Sequence, residues 1–266
     1  MNDVLRRLLD AKAKVLAQER ASEPWEALDE RACRRVEQRR SFGQALRATG
    51  ERPAIIAEIK RASPSLGLIV HEFDPARIAA AYERAGADAI SVLTESDHFL
   101  GELRFLEVVR ANAARPLLRK DFLTDPYQVA QSAAYGADAY LLIVAALDDA
   151  RLAELIQAGE RYALDALVEV HDAAELARAL RAGAKLVGVN NRDLRTFDVD
   201  LAVSEELLPA IPSDVLVVSE SGFRTAEQIR RLRAAGSQAF LIGEWLMRSD
   251  DPVAALRELR GVEVQR

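Results

Sequence analysis

The sequence has little of the chemistry that disulfide scaffolds and metal sites require. Its 266 residues include one cysteine, Cys33, and three histidines. One cysteine cannot form an internal disulfide, and no Cys/His cluster has the spacing of a zinc site. These shortages exclude a disulfide-rich secreted module and a zinc module, and we expect no metal ion.

Long hydrophobic runs are also missing. The longest uninterrupted apolar stretch, residues 139–147, is far too short to cross a membrane as a helix. The N-terminal segment MNDVLRRLLDAKAK places charges between its apolar residues and has no signal-peptide core. We therefore expect a cytoplasmic protein with no membrane partner.

Basic charge is limited, and lysine is rare within it. The chain has 36 Lys and Arg against 42 Asp and Glu, a formal net charge of −6, and no basic tail or stripe that would bind nucleic acid. Only five of the basic residues are lysine, and two of these, Lys60 and Lys120, end apolar runs. Burial can shift the pKa of an amine but not that of a guanidinium, so both lysines are candidate acid–base groups.

The sequence does contain a fourfold repeat. Gly86, Gly136, Gly183 and Gly236 each follow a helix-like stretch and precede a short β-rich run, at intervals of 47–53 residues. Each interval spans two strand–helix units, which predicts eight units in all. The predicted strands are 54–60, 89–94, 116–120, 139–144, 166–171, 186–190, 215–219 and 239–243. The helices predicted between them include 75–85, 126–135, 150–162, 173–182 and 226–235.

Alternating helices and continuously apolar strands predict a parallel sheet that is covered on both sides. Eight units in about 200 residues fit a closed (β/α)8 TIM barrel. The alternative, a doubly wound open sheet, usually carries a G-x-G-x-x-G turn, which is absent here. We expect residues 1–53 to form an N-terminal helical extension, with helices at 4–19 and 29–47 that cover one barrel mouth. Residues 54–266 would form the barrel, in one structural domain.

Several predicted strands end in polar residues, at the position where barrel enzymes build their sites. Glu58 and Lys60 share the inward face of the first strand by period-two alternation, and Glu169 faces opposite to its two valine neighbours. With Lys120 and Asn190 they predict one charged cluster. A structural ion-pair network is the alternative, but the large desolvation cost of burying so many charges favours a site.

Glycine-bearing turns predict an anion site beside this cluster. Residues 221–225 (SGFRT) and 242–244 (IGE) lead into the last two helices of the barrel, where backbone N–H groups bind phosphate in this fold. Ordinary short turns are the alternative for both. The loop 63–67 (SPSLG) is either a mobile lid or a turn, and His171 is expected to cap the helix after the fifth strand.

Seven segments carry a family resemblance. They are IIAEIKRASPSLG (55–67), ISVLTESDHF (90–99), LLRKDFLTDPYQV (117–129), ALVEVHDAAEL (166–176), VGVNNRDLRTFDVDL (187–201), VSESGFRT (218–225) and LIGEWLMRSDDP (241–252). In this order they resemble the indole-3-glycerol phosphate synthase family of tryptophan biosynthesis, over nearly the whole barrel. The resemblance implies a (β/α)8 fold preceded by an N-terminal extension.

The resemblance also implies a reaction. A carboxy-lyase of this kind closes the indole ring of 1-(2-carboxyphenylamino)-1-deoxyribulose 5-phosphate and releases CO2 and water. Lys120 is implied as the acid for the ketone oxygen, and Asn190 as the group that orients carboxylates and substrate. Lys60 with Glu58, or Glu169, is implied in the dehydration. No cofactor is implied, because the iminium formed on ring closure is its own electron sink. The expected partner is this small phosphorylated substrate, and the chain is expected to be a monomer or weak homodimer.

The implied binding contacts lie at the two ends of the substrate. Those for the phosphate and neighbouring groups are Ser63, Ser65, Arg192, Glu220, Gly222, Gly243 and Glu244, with Ser221 in a catalytic position. Those for the anthranilate ring are Phe99, Phe122, Leu141, Leu194 and Ile242. Arg192 is expected near the substrate carboxylate or paired with Glu58.

Three positions depart from the family pattern, namely Leu66, Trp245 and the run 100–102 with Glu102, and they bear on substrate affinity and loop motion. Two other functions stay open at this point. One is a phosphosugar isomerase or epimerase on the same barrel, such as phosphoribosylanthranilate isomerase, which would use a carboxylate or cysteine base. The other is a non-enzymatic barrel that binds a phosphorylated ligand without turnover.

Overall fold

A computed structural model describes residues 3–50 and 52–261, so positions 1, 2, 51 and 262–266 of the predicted extension and barrel lie outside the described residues. Its strands are β1 (Ala54–Ile59), β2 (Ala62–Ser63), β3 (Gly67–Leu68), β4 (Ala89–Leu93), β5 (Leu117–Lys120), β6 (Ala139–Ile143), β7 (Asp165–Val170), β8 (Leu186–Asn190), β9 (Leu216–Glu220) and β10 (Ala239–Ile242). Eight of them pair in parallel in the closed order β1-β10-β9-β8-β7-β6-β5-β4, and β2 and β3 form a separate hairpin. The predicted (β/α)8 barrel is confirmed, with both ends of every predicted barrel strand within one residue.

The helices of the described residues surround this barrel. They are α1 (Asp3–Ser22), α2 (Trp25–Arg34), α3 (Phe42–Arg47), α4 (Pro75–Arg84), α5 (Phe105–Asn112), α6 (Pro126–Ala134), α7 (Asp149–Glu160), α8 (Ala173–Arg181), α9 (Ala202–Leu207), α10 (Ala226–Ala234), α11 (Glu244–Met247) and α12 (Pro252–Leu259). Asp74, Asp125, Asp172 and Thr225 each accept a hydrogen bond from a backbone N–H in the first turn of the following helix, which fixes where that helix begins. In the part of the chain described, no helix combines the length and apolar character needed to cross a membrane.

The repeat glycines end their helices as predicted. Gly86, Gly136, Gly183 and Gly236 follow α4, α6, α8 and α10, with φ angles between +77° and +121°. A side chain would strain the backbone in this region, so glycine lets the chain leave each helix and turn toward the next strand.

Alternation along the strands separates two layers of apolar core. Leu118 and Leu167 belong to a cluster inside the barrel, whereas Val168 belongs to the cluster between strands and helices. Residues two positions apart on a strand share a face. Lys120 and Glu169 therefore point to the barrel axis, the direction that the alternation in the sequence predicted for Glu169.

The N-terminal extension covers both mouths of the barrel rather than the single mouth expected. At the carboxyl ends of the strands, Lys12 of α1 binds Asp121 of the loop after β5, with 2.7 Å between Nζ and Oδ2. At the opposite end, Phe42 of α3 is buried in the inner cluster, and the backbone N–H of Gly43 donates to Asp165 Oδ2 at 2.9 Å. The extension thus contacts the barrel at each end of its axis.

The expected helix at 29–47 is also wrong, because the segment divides into α2, a 3₁₀ turn (Val36–Gln38) and α3. Arg39 is extended, with φ −65° and ψ 140°, and its guanidinium donates to the carbonyl of Ala133 at the end of α6. Ser41 then accepts from the backbone N–H of Gln44 and begins α3. The contact of Arg39 with α6 outweighs the local helical periodicity, which extends through the whole segment.

Candidate active site

One cavity of about 880 Å³ opens at the carboxyl ends of the barrel strands. Every residue predicted for catalysis, for phosphate or for the anthranilate ring borders it. These are Glu58, Lys60, Ser63, Ser65, Phe99, Lys120, Phe122, Leu141, Glu169, Asn190, Arg192, Leu194, Glu220, Ser221, Gly222, Ile242, Gly243 and Glu244. The structure therefore brings the predicted set together, and the role of each member stays a prediction.

Lys120, the last residue of β5, lies between two carboxylates. Its Nζ is 3.0 Å from Glu169 Oε2 and 3.2 Å from Glu220 Oε2. Burial alone would lower the pKa of Lys120, but the charges of Glu169, Glu220 and Glu58 outweigh it and raise the pKa above its usual range. The side chain is thus an ammonium at neutral pH, and it borders the cavity.

Glu169, on β7, has two hydrogen-bond donors and one further ion-pair partner. Lys120 binds Oε2, whereas Asn190 Nδ2 at 3.1 Å and His171 Nε2 at 3.3 Å both approach Oε1. Burial alone would raise the pKa of Glu169, but Lys120, His171 and Asn190 hold it well below its usual range. This carboxylate is ionised at neutral pH.

Glu220, on β9, has a different environment. Lys120 contacts its Oε2, while Oε1 is buried without a hydrogen-bond partner among the described residues. Burial and the nearby charges of Glu169 and Glu58 raise the pKa of Glu220 to about 7, against the opposing effect of Lys120. The sequence predicts Glu220 among the phosphate and substrate contacts, and in the structure it borders the cavity with its Oε2 against Lys120. A Cβ at Gly188 would collide with its Oε1, so glycine at that position of β8 makes room for the carboxyl group.

Glu58 and Lys60 form a second ion pair on the same cavity. Glu58 Oε1 lies 2.6 Å from Lys60 Nζ, and both side chains extend from the end of β1. Gly243, at the end of β10, faces this pair, because a Cβ there would collide with Glu58 Oε1. Glycine at position 243 therefore leaves room for the carboxylate of Glu58 at the turn after the last strand.

Asn190 connects the charged cluster to the predicted phosphate turns. Its Oδ1 accepts from Ser221 Oγ at 2.9 Å and from the backbone N–H of Arg192 at 3.0 Å, which directs its Nδ2 to Glu169. The Arg192 side chain binds Glu244 Oε2 at 3.5 Å. Of the two alternatives for Arg192, pairing with Glu58 is therefore wrong in this structure.

The predicted phosphate turns form one edge of the cavity. Ser221 and Gly222 both have left-handed backbone angles, with φ of +68° and +93°. A Cβ at Gly222 would lie 2.5 Å from Val199 Cγ1, so only glycine fits under the loop that follows β8. Gly243 precedes the first residue of α11, where the backbone N–H groups lack helical acceptors. These turns can bind an anion.

The opposite side of the cavity is apolar. The rings of Phe99 and Phe122 are tilted, with centroids 6.4 Å apart, and Leu141 belongs to the inner core cluster beside them. Ile242 borders the cavity, but its side chain packs in the outer core cluster, and Leu241 is the inward residue of β10. Ile242 as a contact of the anthranilate ring stays a prediction.

The sequence missed several residues of the site. Leu5 and Leu8 of α1 line the cavity, and nothing in their spacing indicated which mouth α1 covers. His171 was expected to cap α8, yet its ring lies between Glu169 and Glu175. His171 follows Glu169 by two residues, so strand alternation could have predicted that both side chains lie on the same, inward face. Among the residues described, no three or more His, Cys, Asp or Glu side chains are grouped so that they could hold a metal ion.

Comparison with known proteins shows which family this chain matches. A family model described as indole-3-glycerol phosphate synthase matches residues 5–259. The indole-3-glycerol phosphate synthase of Azospirillum brasilense is 46% identical over 261 residues, which is 97% of this chain and 99% of that protein. The protein of the same name from Dehalococcoides mccartyi (strain CBDB1) is 50% identical over 218 residues, 81% of this chain and 84% of that protein.

Solved structures agree in fold. A 3-hexulose-6-phosphate synthase has a TM-score of 0.61 at 19% identity and covers 79% of this chain and 100% of its own. The 3-hexulose-6-phosphate synthase from Salmonella typhimurium has a TM-score of 0.64 at 13% identity, over 79% of this chain and 97% of its own. At these identities the likeness shows a shared barrel and nothing about the reaction.

Proposed function

Because the chain belongs to the indole-3-glycerol phosphate synthase family, we propose that its cavity converts 1-(2-carboxyphenylamino)-1-deoxyribulose 5-phosphate to indole-3-glycerol phosphate, CO2 and water. The observation that carries the proposal is the Lys120 ammonium, held between Glu169 and Glu220 in a cavity that also contains anion-binding turns. The substrate needs an acid at its centre, an apolar site at one end and a phosphate site at the other.

In ring closure, Lys120 acts as the general acid. The aryl carbon that bears the carboxylate attacks the ketone carbon, and the ketone oxygen takes a proton from the Lys120 ammonium. A positioned general acid contributes about 10²–10⁴-fold to such a step. Glu220 carries a proton close to neutral pH and lies 3.2 Å from Lys120 Nζ, so it can return a proton to the amine afterwards.

Decarboxylation then follows from the substrate itself. Ring closure leaves an iminium, and the electrons of the breaking carbon–carboxylate bond neutralise it and restore the aromatic ring. The bond that breaks yields CO2. The protein contributes orientation at this step, through the Asn190 amide that is fixed by Ser221 and Arg192.

Dehydration needs one acid and one base. Lys60 protonates the hydroxyl group that leaves as water, with Glu58 at 2.6 Å as its counter-ion. Glu169 removes the ring proton, because it is the carboxylate whose donors keep it ionised. Over the sequence of steps oxygen gains two protons and carbon loses one, and this net uptake of one proton accompanies conversion of the carboxylate to CO2.

The two ends of the substrate select its orientation. The turns at Ser221, Gly222 and Gly243, with the hydroxyl of Ser63, would hold the phosphate. The anthranilate ring would lie between Phe99, Phe122 and the leucines of the apolar wall, under α1. Arg192, beside the cluster, is then available to the substrate carboxylate.

One assay tests the proposal. The full chain is incubated with the carboxyphenylamino substrate, and indole fluorescence reports the product. Turnover that Lys120→Ala abolishes would support the assigned chemistry. Absence of product with folded protein would reject it, and tight binding of the substrate without turnover would instead indicate a phosphate-ligand binding barrel.

The remaining expectations extend this proposal. The contacts of Lys12 with Asp121 and of Gly43 with Asp165 support one folding unit that includes the extension. We propose a cytoplasmic enzyme of tryptophan biosynthesis that acts as a monomer or weak homodimer. Size-exclusion chromatography with light scattering over a concentration series would test its assembly.

A further inference from the structure

The two carboxylates beside Lys120 differ in how many donors they have. Glu169 accepts hydrogen bonds from Lys120 and Asn190 and forms an ion pair with His171, whose Nε2 lies 3.3 Å from Oε1. Glu220 contacts Lys120 and leaves Oε1 without a hydrogen-bond partner among the described residues. A carboxylate with more donors is the easier one to keep ionised. The donor that distinguishes the two sites by charge is His171, because Asn190 is neutral.

His171 is held firmly in this position. Its Nδ1 lies 3.0 Å from Glu175 Oε2, and the same oxygen accepts from the backbone N–H of His171 at 2.9 Å. Glu175 is itself fixed, since its backbone N–H donates to Asp172 at the start of α8. The ring therefore cannot turn away, and its Nε2 stays 3.3 Å from Glu169 Oε1.

The surroundings keep this imidazole protonated. The charged groups that face it are Glu169 from β7 and Glu175 from α8, while β8 offers the neutral Asn190 and the turn after β6 is apolar (Val144–Ala146). Burial alone would lower the pKa of His171, but the two carboxylates raise it to about 10.

We propose that His171 is a positioning residue which, without touching the substrate, keeps Glu169 ionised and leaves the proton of the carboxylate pair on Glu220. The inference rests on the proposed reaction, in which Glu169 must be ionised to act as the base of dehydration. If the cation at His171 is removed, Glu169 binds a proton more readily and a larger share of the enzyme starts without its base.

The kinetic test is the pH profile of kcat for His171→Gln. The acid limb of the variant should move to higher pH by about one to three units, the usual effect of removing a close opposite charge. KM should change much less, because His171 does not bind substrate. His171→Lys restores a cation and should return the limb toward that of the unmodified chain. His71→Gln, at an exposed position, is the matched control and should leave the profile unchanged.

A second measurement does not depend on turnover. Imidazole NMR of the full chain reports the titration of His171, which the spectrum of His171→Gln identifies. Its pKa should lie well above the ordinary histidine value of about 6.5, and Glu175→Gln or Glu169→Gln should lower it. If the chain has no synthase activity but His171 titrates in this way, the proposed reaction is rejected, while the effect of Glu169 and Glu175 on His171 is supported.

A folding defect of the His171→Gln variant can be distinguished from the loss of its charge. The backbone N–H of His171 keeps its bond to Glu175 in any side-chain variant, so helix α8 retains that contact. Thermal unfolding of His171→Gln within a few degrees of the unmodified chain would verify this. An acid limb that stays in place in a folded His171→Gln variant, or an ordinary pKa for His171, would overturn the inference.

Discussion

Replacing Lys120 by methionine should separate catalysis from binding and change the pH dependence of stability. The substitution keeps the length of the side chain and removes the ammonium that contacts Glu169 and Glu220. The general acid is lost, so kcat should fall by about 10²–10⁴-fold. Affinity for the product should change by less than about tenfold, because the proton transfer is a transition-state contact.

The same variant has a calculable effect on folding. Removing one partner of a buried ion pair can cost about 3–5 kcal/mol. The cost here should be lower, about 1–3 kcal/mol, the range for one unpaired buried polar group. Glu169 keeps its bonds to Asn190 and His171, and Glu220 can hold a proton instead of a charge.

The sign of the pH dependence follows from Glu220. Its folded pKa, about 7, lies above the value of about 4.3 expected in the unfolded chain, so folding takes up a proton between these pH values. The stability it contributes is complete below the unfolded pKa and is lost as pH rises through the folded pKa. Without the ammonium of Lys120 the folded pKa rises further, so Lys120→Met should continue to lose stability above pH 7.

Indole fluorescence and thermal unfolding at pH 6 and pH 9 measure both effects. Lys185→Met is the matched control, because Lys185 is exposed and its ammonium lies 3.4 Å from Asp214 Oδ2, away from the cavity. Turnover of Lys120→Met within tenfold of the unmodified chain would refute the acid role. A stability difference that is equal at pH 6 and pH 9 would refute the reasoning about the buried carboxyl group.

Three further predictions concern other parts of the structure. Gly188→Ala forces a Cβ into Glu220 and should lower the free energy of unfolding in urea by about 1–3 kcal/mol, with reduced kcat; unchanged stability would contradict the close approach. Lys12→Met removes the contact of α1 to Asp121 and should raise KM more than it lowers kcat, because α1 covers the apolar end of the cavity; an effect on kcat alone would contradict this. Incubation with EDTA should leave turnover unchanged, and a loss that a divalent cation restores would disprove metal independence.

The fold could be predicted from the sequence because its signals are local and repeated. Strand ends were found to within one residue, since helices such as α6 begin at a capping side chain, here Asp125, and end near a glycine, here Gly136. The extension was predicted less well. Its division at Arg39 depends on carbonyls of α6, which lie almost one hundred residues away in the sequence.

The site shows the same division between local and distant information. Period-two alternation predicted that Glu58 and Glu169 face the barrel axis, because the direction of a strand side chain depends only on its neighbours. The partners of Glu220 and Arg192 depend on strands that meet across the axis, and the sequence alone does not give those distances.

The acid–base set follows from how a barrel of this kind fills its interior. Alternate strands supply each layer of four inward side chains. The first, third, fifth and seventh strands of this barrel are β1, β5, β7 and β9, and at the mouth they place Glu58, Lys120, Glu169 and Glu220 in one layer. Three carboxylates and one ammonium in a desolvated layer leave two negative charges unbalanced. Lys60 balances one of them at 2.6 Å from Glu58, and the proton on Glu220 removes the other. With Lys60 paired to Glu58 and a proton on Glu220, the layer carries no net charge. We propose that it exchanges protons with the substrate from this state.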